Sequence, residues 1–243
     1  NVPGLLSAKK GEHFKNLQEY FKSLGYVVHY KMLTASDYGV LQERHRLIIV
    51  GWKENLDLGY PDFKVVTTNA VVNDVLLDLP KLKAGDTKKI AAYESPINQY
   101  LKDSGIRSEE ECVVTQNITR SVNSNDAKIY NFAIKLWNEK HSRLKYTDLP
   151  MELRSQKNEG SFLDRFKVVN GEGKSHTVVA HLSKDGHYYI HPDIKYCRSI
   201  SVREAARLQS FPDNFYFEGS RSAVFKQIGN AVPPLLGKAL GQV

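Results

Sequence analysis

Cysteine is scarce in this chain. Its 243 residues include two, Cys112 and Cys197, with no C-x-x-C spacing. That excludes a disulfide-built scaffold and fits a reducing cytoplasm. Long apolar runs are missing too: none approaches the roughly 18 to 20 residues that span a bilayer, so no membrane partner is expected. There is no internal repeat and no low-complexity linker. Nor is there an acidic excess, since Lys and Arg number 34 against 27 Asp and Glu, a formal charge of +7. A basic balance points to a polyanionic partner. The excess is uneven. Residues 1–53 hold eight Lys/Arg against four Asp/Glu and residues 198–243 hold six against three, while 54–197 hold twenty of each. A chain of this length can bury a full core, as one large domain or two smaller ones.

Apolar periodicity sets out the elements. In "GEHFKNLQEYFKSLGYVV", Phe14, Leu17, Tyr20, Phe21 and Leu24 recur at helical spacing. Gly25 stands where such a helix would end, and "YVVHYKML" follows as a strand. A polar turn, "TASDYG", leads to a second strand containing Leu47 to Gly51. Residues 54–100 read as irregular, with "DVLLDLPKL" a short helix or buried segment, and residues 100–160 lean helical, best in "NDAKIYNFAIKLWNEK". From 161 the texture turns to β, and Lys184-Asp185-Gly186 predicts a hairpin within "HTVVAHLSKDGHYYIHPD". Ser201 and Glu204 fit a capping box for a helix that must stop before Pro212, and Pro233-Pro234 predicts the opening of a last helix.

Before the strand at Leu47, the residues Gln42, Arg44 and Arg46 alternate at period two, so their side chains should leave one face. Two guanidiniums so placed repel unless an anion lies opposite. With the "YG" that precedes it, this stretch matches a Q-x-R-x-R motif. "RSISVREAARLQSFPDNF" (198–215) matches R-x-x-T-x-R-E-x-A-R-x-Q-x-F-P, departing only at Ser201, and "GNAVPP" (229–234) is a third motif. Together, in this order, with some 140 residues of variable sequence between the first two, they resemble the cytosine-5 DNA methyltransferases, enzymes of bacterial restriction–modification and of epigenetic marking. Asn1-Val2 resemble the last two letters of that family's E-N-V motif.

The resemblance implies an α/β fold: a partial Rossmann-like methyltransferase sheet plus an α+β target recognition domain. Residues 1–53 would be the C-terminal part of the catalytic domain, 54–222 the recognition domain and 223–243 the closing helix. It implies S-adenosyl-L-methionine as methyl donor and double-stranded DNA as partner, with the target cytosine flipped from its stack. Arg46 would stabilise charge building on the cytosine ring and hold a phosphate. Arg44 would lie near the flipped nucleotide, with Gln42 in support. Asn230, Ala231 and Val232 would contact the cofactor. Lys184 and His187 are candidates to face DNA. Arg203, Glu204 and Arg207 read as a buried polar brace rather than reacting groups. A neutral 54–197 requires basic residues such as Lys88, Lys89, Arg120, Lys128, Arg143 and Lys145 to be gathered on one face.

Other patterns fail. His176, His181, His187 and His191 lack the tight ligand pairs and thiolates of a zinc site, so no metal is expected. "NGEGKS" (170–175) has Val168 where a phosphate loop needs its first Gly. The family's Pro-Cys nucleophile is absent as well: Cys112 follows Glu111 and Cys197 follows Tyr196. No F-x-G-x-G loop is found. The chain therefore reads as the DNA-reading portion of an enzyme, inactive alone, whose N-terminal catalytic half is elsewhere. It would be a C-terminal fragment, a natural subunit of a split methyltransferase, or a DNA-binding module descended from the family.

Overall fold

A computed structural model describes residues 4–154 and 160–242, and Asn1-Val2 lie outside them. A one-turn helix α1 (Gly4–Ser7) precedes α2 (Glu12–Ser23), whose apolar stripe buries Phe14 edge-on against Tyr30 at 4.7 Å. Gly25, at φ 76°, ends α2 as its position predicts. Strand β1 (Tyr26–Thr34) then runs antiparallel to β3 (His45–Lys53) along its full length, Tyr26 opposite Lys53 and Thr34 opposite His45. Between them lies the short β2 (Gln42–Glu43). The anticipated continuous strand is therefore broken at Arg44: β2 leaves the ribbon and pairs in parallel with β6 (Ser175–His176). One small core, Leu33, Ala35, Tyr38, Val40, Phe63, Leu236 and Ala239, joins the ribbon to the C-terminal helix.

Further on, β4 (Thr87–Ala92) and β5 (Val113–Ile118) form a second antiparallel pair, with the short helix α3 (Gln99–Asp103) between them. β4 falls within the stretch expected to be irregular. Its "TKKIAA" leaves Lys89 and Ile90 both exposed, so no in–out alternation marks it. Helix α4 (Ser124–Lys140) fits its amphipathic reading and buries Ile129, Tyr130, Ala133 and Ile134 against Leu144, Tyr146, Phe166 and Ile190.

The β texture after residue 161 does not become a hairpin at Lys184-Asp185-Gly186. The backbone partners of 187–191 come from two other segments: Lys167 N donates to His187 O, Val169 N to Ile190 O, Ile200 N to Tyr189 O, and His191 N to Arg198 O. Residues 175–178 are held by Leu41, Gln42 and Glu43 instead. With both would-be strands satisfied elsewhere, a 3-10 turn over Ala180–Ser183 fills the gap.

The C-terminal part follows its sequence closely. Helix α5 (Val202–Leu208) starts at a capping box in which Ser201 Oγ accepts from Glu204 N and the Glu204 carboxylate accepts from Ser201 N. Helix α6 (Arg221–Asn230) follows, and α7 (Pro234–Leu240) opens on Pro234 at its first position. The largest core draws Leu41 from the first segment, Val72, Val75, Val178 and Ile200 from the middle, and Phe225 and Ile228 from α6.

Candidate functional site

The Q-x-R-x-R residues do not share one environment. Gln42 is fully buried: Nε2 donates to Leu208 O (2.9 Å) and Gln209 Oε1 (3.1 Å), and Oε1 accepts from Val178 N (2.9 Å). Gln209 passes the tie on, donating through Nε2 to Ile228 O at 2.6 Å. Arg44 is also buried. Its fork donates to Val178 O (2.6 Å), Gly229 O (3.2 Å) and Ala231 O (3.0 Å). Burial, then the charge of Arg46, lowers its pKa to about 10, so it stays protonated at neutral pH. What lies opposite Arg44 is three carbonyl oxygens, including those at the C-terminal end of α6, where the helix dipole welcomes a cation.

Arg46 differs. It is half-buried on β3, its Nη1 donates to His45 O at 2.7 Å, and burial alone is what lowers its pKa. Among the described residues no carboxylate pairs with it. A guanidinium held near a second one, partly stripped of water and without a counter-charge, attracts an anion.

The "GNAVPP" loop meets this strand through Arg44. The loop's glycine has a packing reason: Gly229 lies within α6, and a Cβ there would sit 2.2 Å from Val179 C and Ala180 N. The glycine is needed for close approach, not for φ. Just beyond it Asn230 and Val232 are exposed, with Ala231 half-buried between them.

The 198–213 motif is a buried charge lattice. Arg198 grips Glu204 with both nitrogens (2.8 and 2.7 Å), and Arg207 bridges Asp78 and Asp213. Arg203 donates to the carbonyls of Thr115, Pro212 and Phe215. Arg198, Arg203 and Arg207 are at most 1% exposed. The brace reading fits. Sequence reasoning missed Asp78 and Asp213 as its acids: Asp78 lies 129 residues from Arg207, and Asp213, six residues on, meets it only because the chain turns back after α5.

The remaining candidates lie apart from these motifs. The Lys184 side chain is exposed, and its carbonyl is held by Arg120, which also donates to Leu182 O and Ser183 O and so serves as a brace. His187 Nδ1 is hydrogen-bonded to Tyr130 OH at 2.8 Å. Of the other histidines, His181 is exposed. His191 is buried and His176 half-buried, and desolvation pushes each down to about 4, so both are neutral. Against His191, Glu204 stays ionised, held at about 2 chiefly by Arg198.

The family profile of C-5 cytosine-specific DNA methylases matches residues 1–243. The chain belongs to that family. It is 41% identical over 252 residues to the type II methyltransferase M.Bpa9945I of Bacillus paralicheniformis, covering 97% of this chain and 56% of the relative. With the type II methyltransferase M.DdeI of Desulfomicrobium norvegicum it shares 32% identity over 266 residues, 100% of this chain and 60% of the relative. The chain thus spans a little over half the length of these relatives. Among solved structures, a DNA modification methyltransferase encoded within an E. coli prophage superposes with a TM-score of 0.66 at 23% identity, covering 99% of this chain and 66% of that one. The α/β methyltransferase-like fold, with its small sheets, is shared with it. Among the described residues no helix is long and apolar enough to cross a membrane.

Proposed function

We propose that this chain is the DNA-reading and closing part of a DNA (cytosine-5-)-methyltransferase of the bacterial restriction–modification type, acting on a cytosine rotated out of duplex DNA. The observation that carries the reading is Arg46, half-buried, charged and with no carboxylate partner among the described residues, near the start of β3, where its neighbours Gln42 and Arg44 are locked to the backbone. Its task is electrostatic. As a nucleophile adds to the cytosine ring, negative charge spreads toward O2, and a cation already in place needs no reorganisation to meet it. Arg44 acts one step back: it fixes 178 and 229–231, so that the loop keeps its shape.

That loop fits the methyl donor, S-adenosyl-L-methionine, on one side. Asn230 offers an amide and Val232 an exposed apolar surface, and the Ala231 carbonyl between them is pinned by Arg44. The cofactor supplies an electrophilic methyl group. The nucleophile comes from protein beyond these 243 residues, because Cys112 lies in an acidic exposed turn and Cys197 Sγ is occupied with Ile194 O. A docking place for that catalytic half is the β1–β3 ribbon, which is paired with no third strand among the described residues and leaves Tyr30 43% and Met32 41% exposed.

The test is reconstitution. This chain is mixed with a chain carrying the Pro-Cys half, and transfer of labelled methyl groups to duplex DNA is measured. Neither chain is expected to act alone. Arg46→Ala should lower the rate by about 10²- to 10³-fold, the scale for one lost transition-state donor. Methylation by this chain alone would refute the division of labour. DNA binding with no gain on mixing would favour a non-enzymatic DNA-binding module.

A further inference from the structure

One cavity has no task in that reading. About 660 Å³ in volume, it opens between the segment after residue 160 and the turn at Lys184, and Phe162, Lys167, His176, His181, Asp185 and Tyr188 are among its walls. The walls are largely flat rings. His176 stacks on Tyr189 at 4.9 Å and 22°, and His181 meets Tyr188 edge-on at 6.0 Å. Phe162 stands at the rim, 72% exposed, on a backbone with φ 55°. A bulky residue rarely adopts that conformation. The Phe162 carbonyl anchors it by accepting from Arg165 N and Nε. An aromatic ring fixed in water by strained backbone is placed for contact.

Several polar side chains line the cavity, Arg165, Thr177 and His187 among them, and two others bear opposite charges. Lys167 brings an ammonium, its side chain 14% exposed, 5.7 Å from the centre of the Tyr188 ring and 3.2 Å from Asp164. Asp185 brings a carboxylate whose Oδ1 accepts the His187 N–H at 3.0 Å. The cavity is also fixed relative to Arg46. Thr177, on its wall, donates to Glu43 O at 2.6 Å, and Glu43 pairs with His176 across β2 and β6.

We propose that this cavity reads a guanine of the DNA target, an assignment that rests on the methyltransferase reading. The rings supply stacking faces, which accept any base. Selection comes from the charged pair. A guanine turned out of the duplex presents two acceptors, O6 and N7, to a lysine, and its N1–H and 2-amino group, no longer paired or confined to the minor groove, become donors for a carboxylate. Adenine carries an amino group where guanine has O6, so it would set a donor against Lys167.

The experiment is selection from a random duplex library by the chain together with its catalytic half, comparing wild type with Lys167→Met and Asp185→Asn. Both cavity variants should lose preference at one guanine position by about ten- to a hundredfold, the usual worth of a paired base contact, while the other positions hold. If the cavity variants keep every preference, or weaken all positions alike with an unchanged thermal melt, the assignment is overturned. An enriched sequence without methyl transfer would count against the enzymatic reading and leave the cavity assignment standing. Should no sequence be enriched, the wild-type chain answers directly. Ring-proton NMR signals of His181 and His187 should shift on titration with a guanine-containing hexanucleotide and not with an all-thymine one. Equal or absent shifts refute the proposal.

Discussion

Arg44 and Arg46 are two residues apart, chemically identical and near each other, yet one is spent on the protein and the other is left over. Arg44 satisfies three carbonyls that would otherwise be buried without donors. Losing it removes the cation and orphans them, at about 1–3 kcal/mol for each unsatisfied group. Arg46 has one backbone bond to its own neighbour. Urea unfolding should therefore find Arg44→Ala destabilised by about 3 kcal/mol or more and Arg46→Ala by under about 1 kcal/mol. Methyl transfer by the reconstituted enzyme should rank them by chemistry, with Arg46→Ala impaired although its fold is intact. Equal destabilisation by the two would remove the distinction on which the site rests.

At the scale of elements, α6 is set by contact with a backbone as well as by the apolar residues it buries. Residues 179 and 180 run directly against Gly229, and the helix end is then fastened by Arg44 and by Gln209. A methyl group at 229 has no room, and its neighbours are main-chain atoms that cannot rotate away. Gly229→Ala should cost at least the 1–3 kcal/mol of an overpacked core, even though alanine favours helices in general. A lowered midpoint in urea with an unchanged slope checks this; a neutral or stabilised variant would mean the approach is looser than 2.2 Å.

Over the whole molecule, the +7 charge does not translate into a +7 surface. Arg44, Arg198, Arg203 and Arg207 are buried, and Asp78, Asp213 and Glu204 are buried with them. This interior makes the fold acid-sensitive, and the sign follows from the two desolvated histidines. His176 and His191 stay neutral in the folded chain down to about 4, against 6.5 in an unfolded one. Between those values the unfolded chain binds protons that the folded chain refuses, so stability falls as pH drops from about 6.5 to 4. Glu204, at about 2 rather than 4.5, adds a further loss below 4.5. Thermal melting between pH 7.5 and 4 should show a continuous fall in midpoint, partly relieved in a variant with His176 replaced by a neutral ring such as Phe. A midpoint that stays flat to pH 4.5 would contradict the desolvated neutral state.

The sequence alone determined the pieces whose cause is local. Phe14 to Leu24 at helical spacing, the Ser201–Glu204 box and Pro234 each fix an element through neighbours within one or two turns. The family could be read from three short motifs because their order is itself sequence. Tertiary structure decided everything that depends on distant partners. It broke the first long strand at Arg44, since β2 had Ser175 and His176 to pair with, and it denied the Asp-Gly turn a hairpin, since both of its flanks were claimed elsewhere. It also sorted chemically identical arginines two residues apart, making Arg44 a brace and leaving Arg46 with no carboxylate partner among the described residues. That sorting depends on which carbonyls and carboxylates come within about 3 Å, and those lie as many as 187 residues away along the chain.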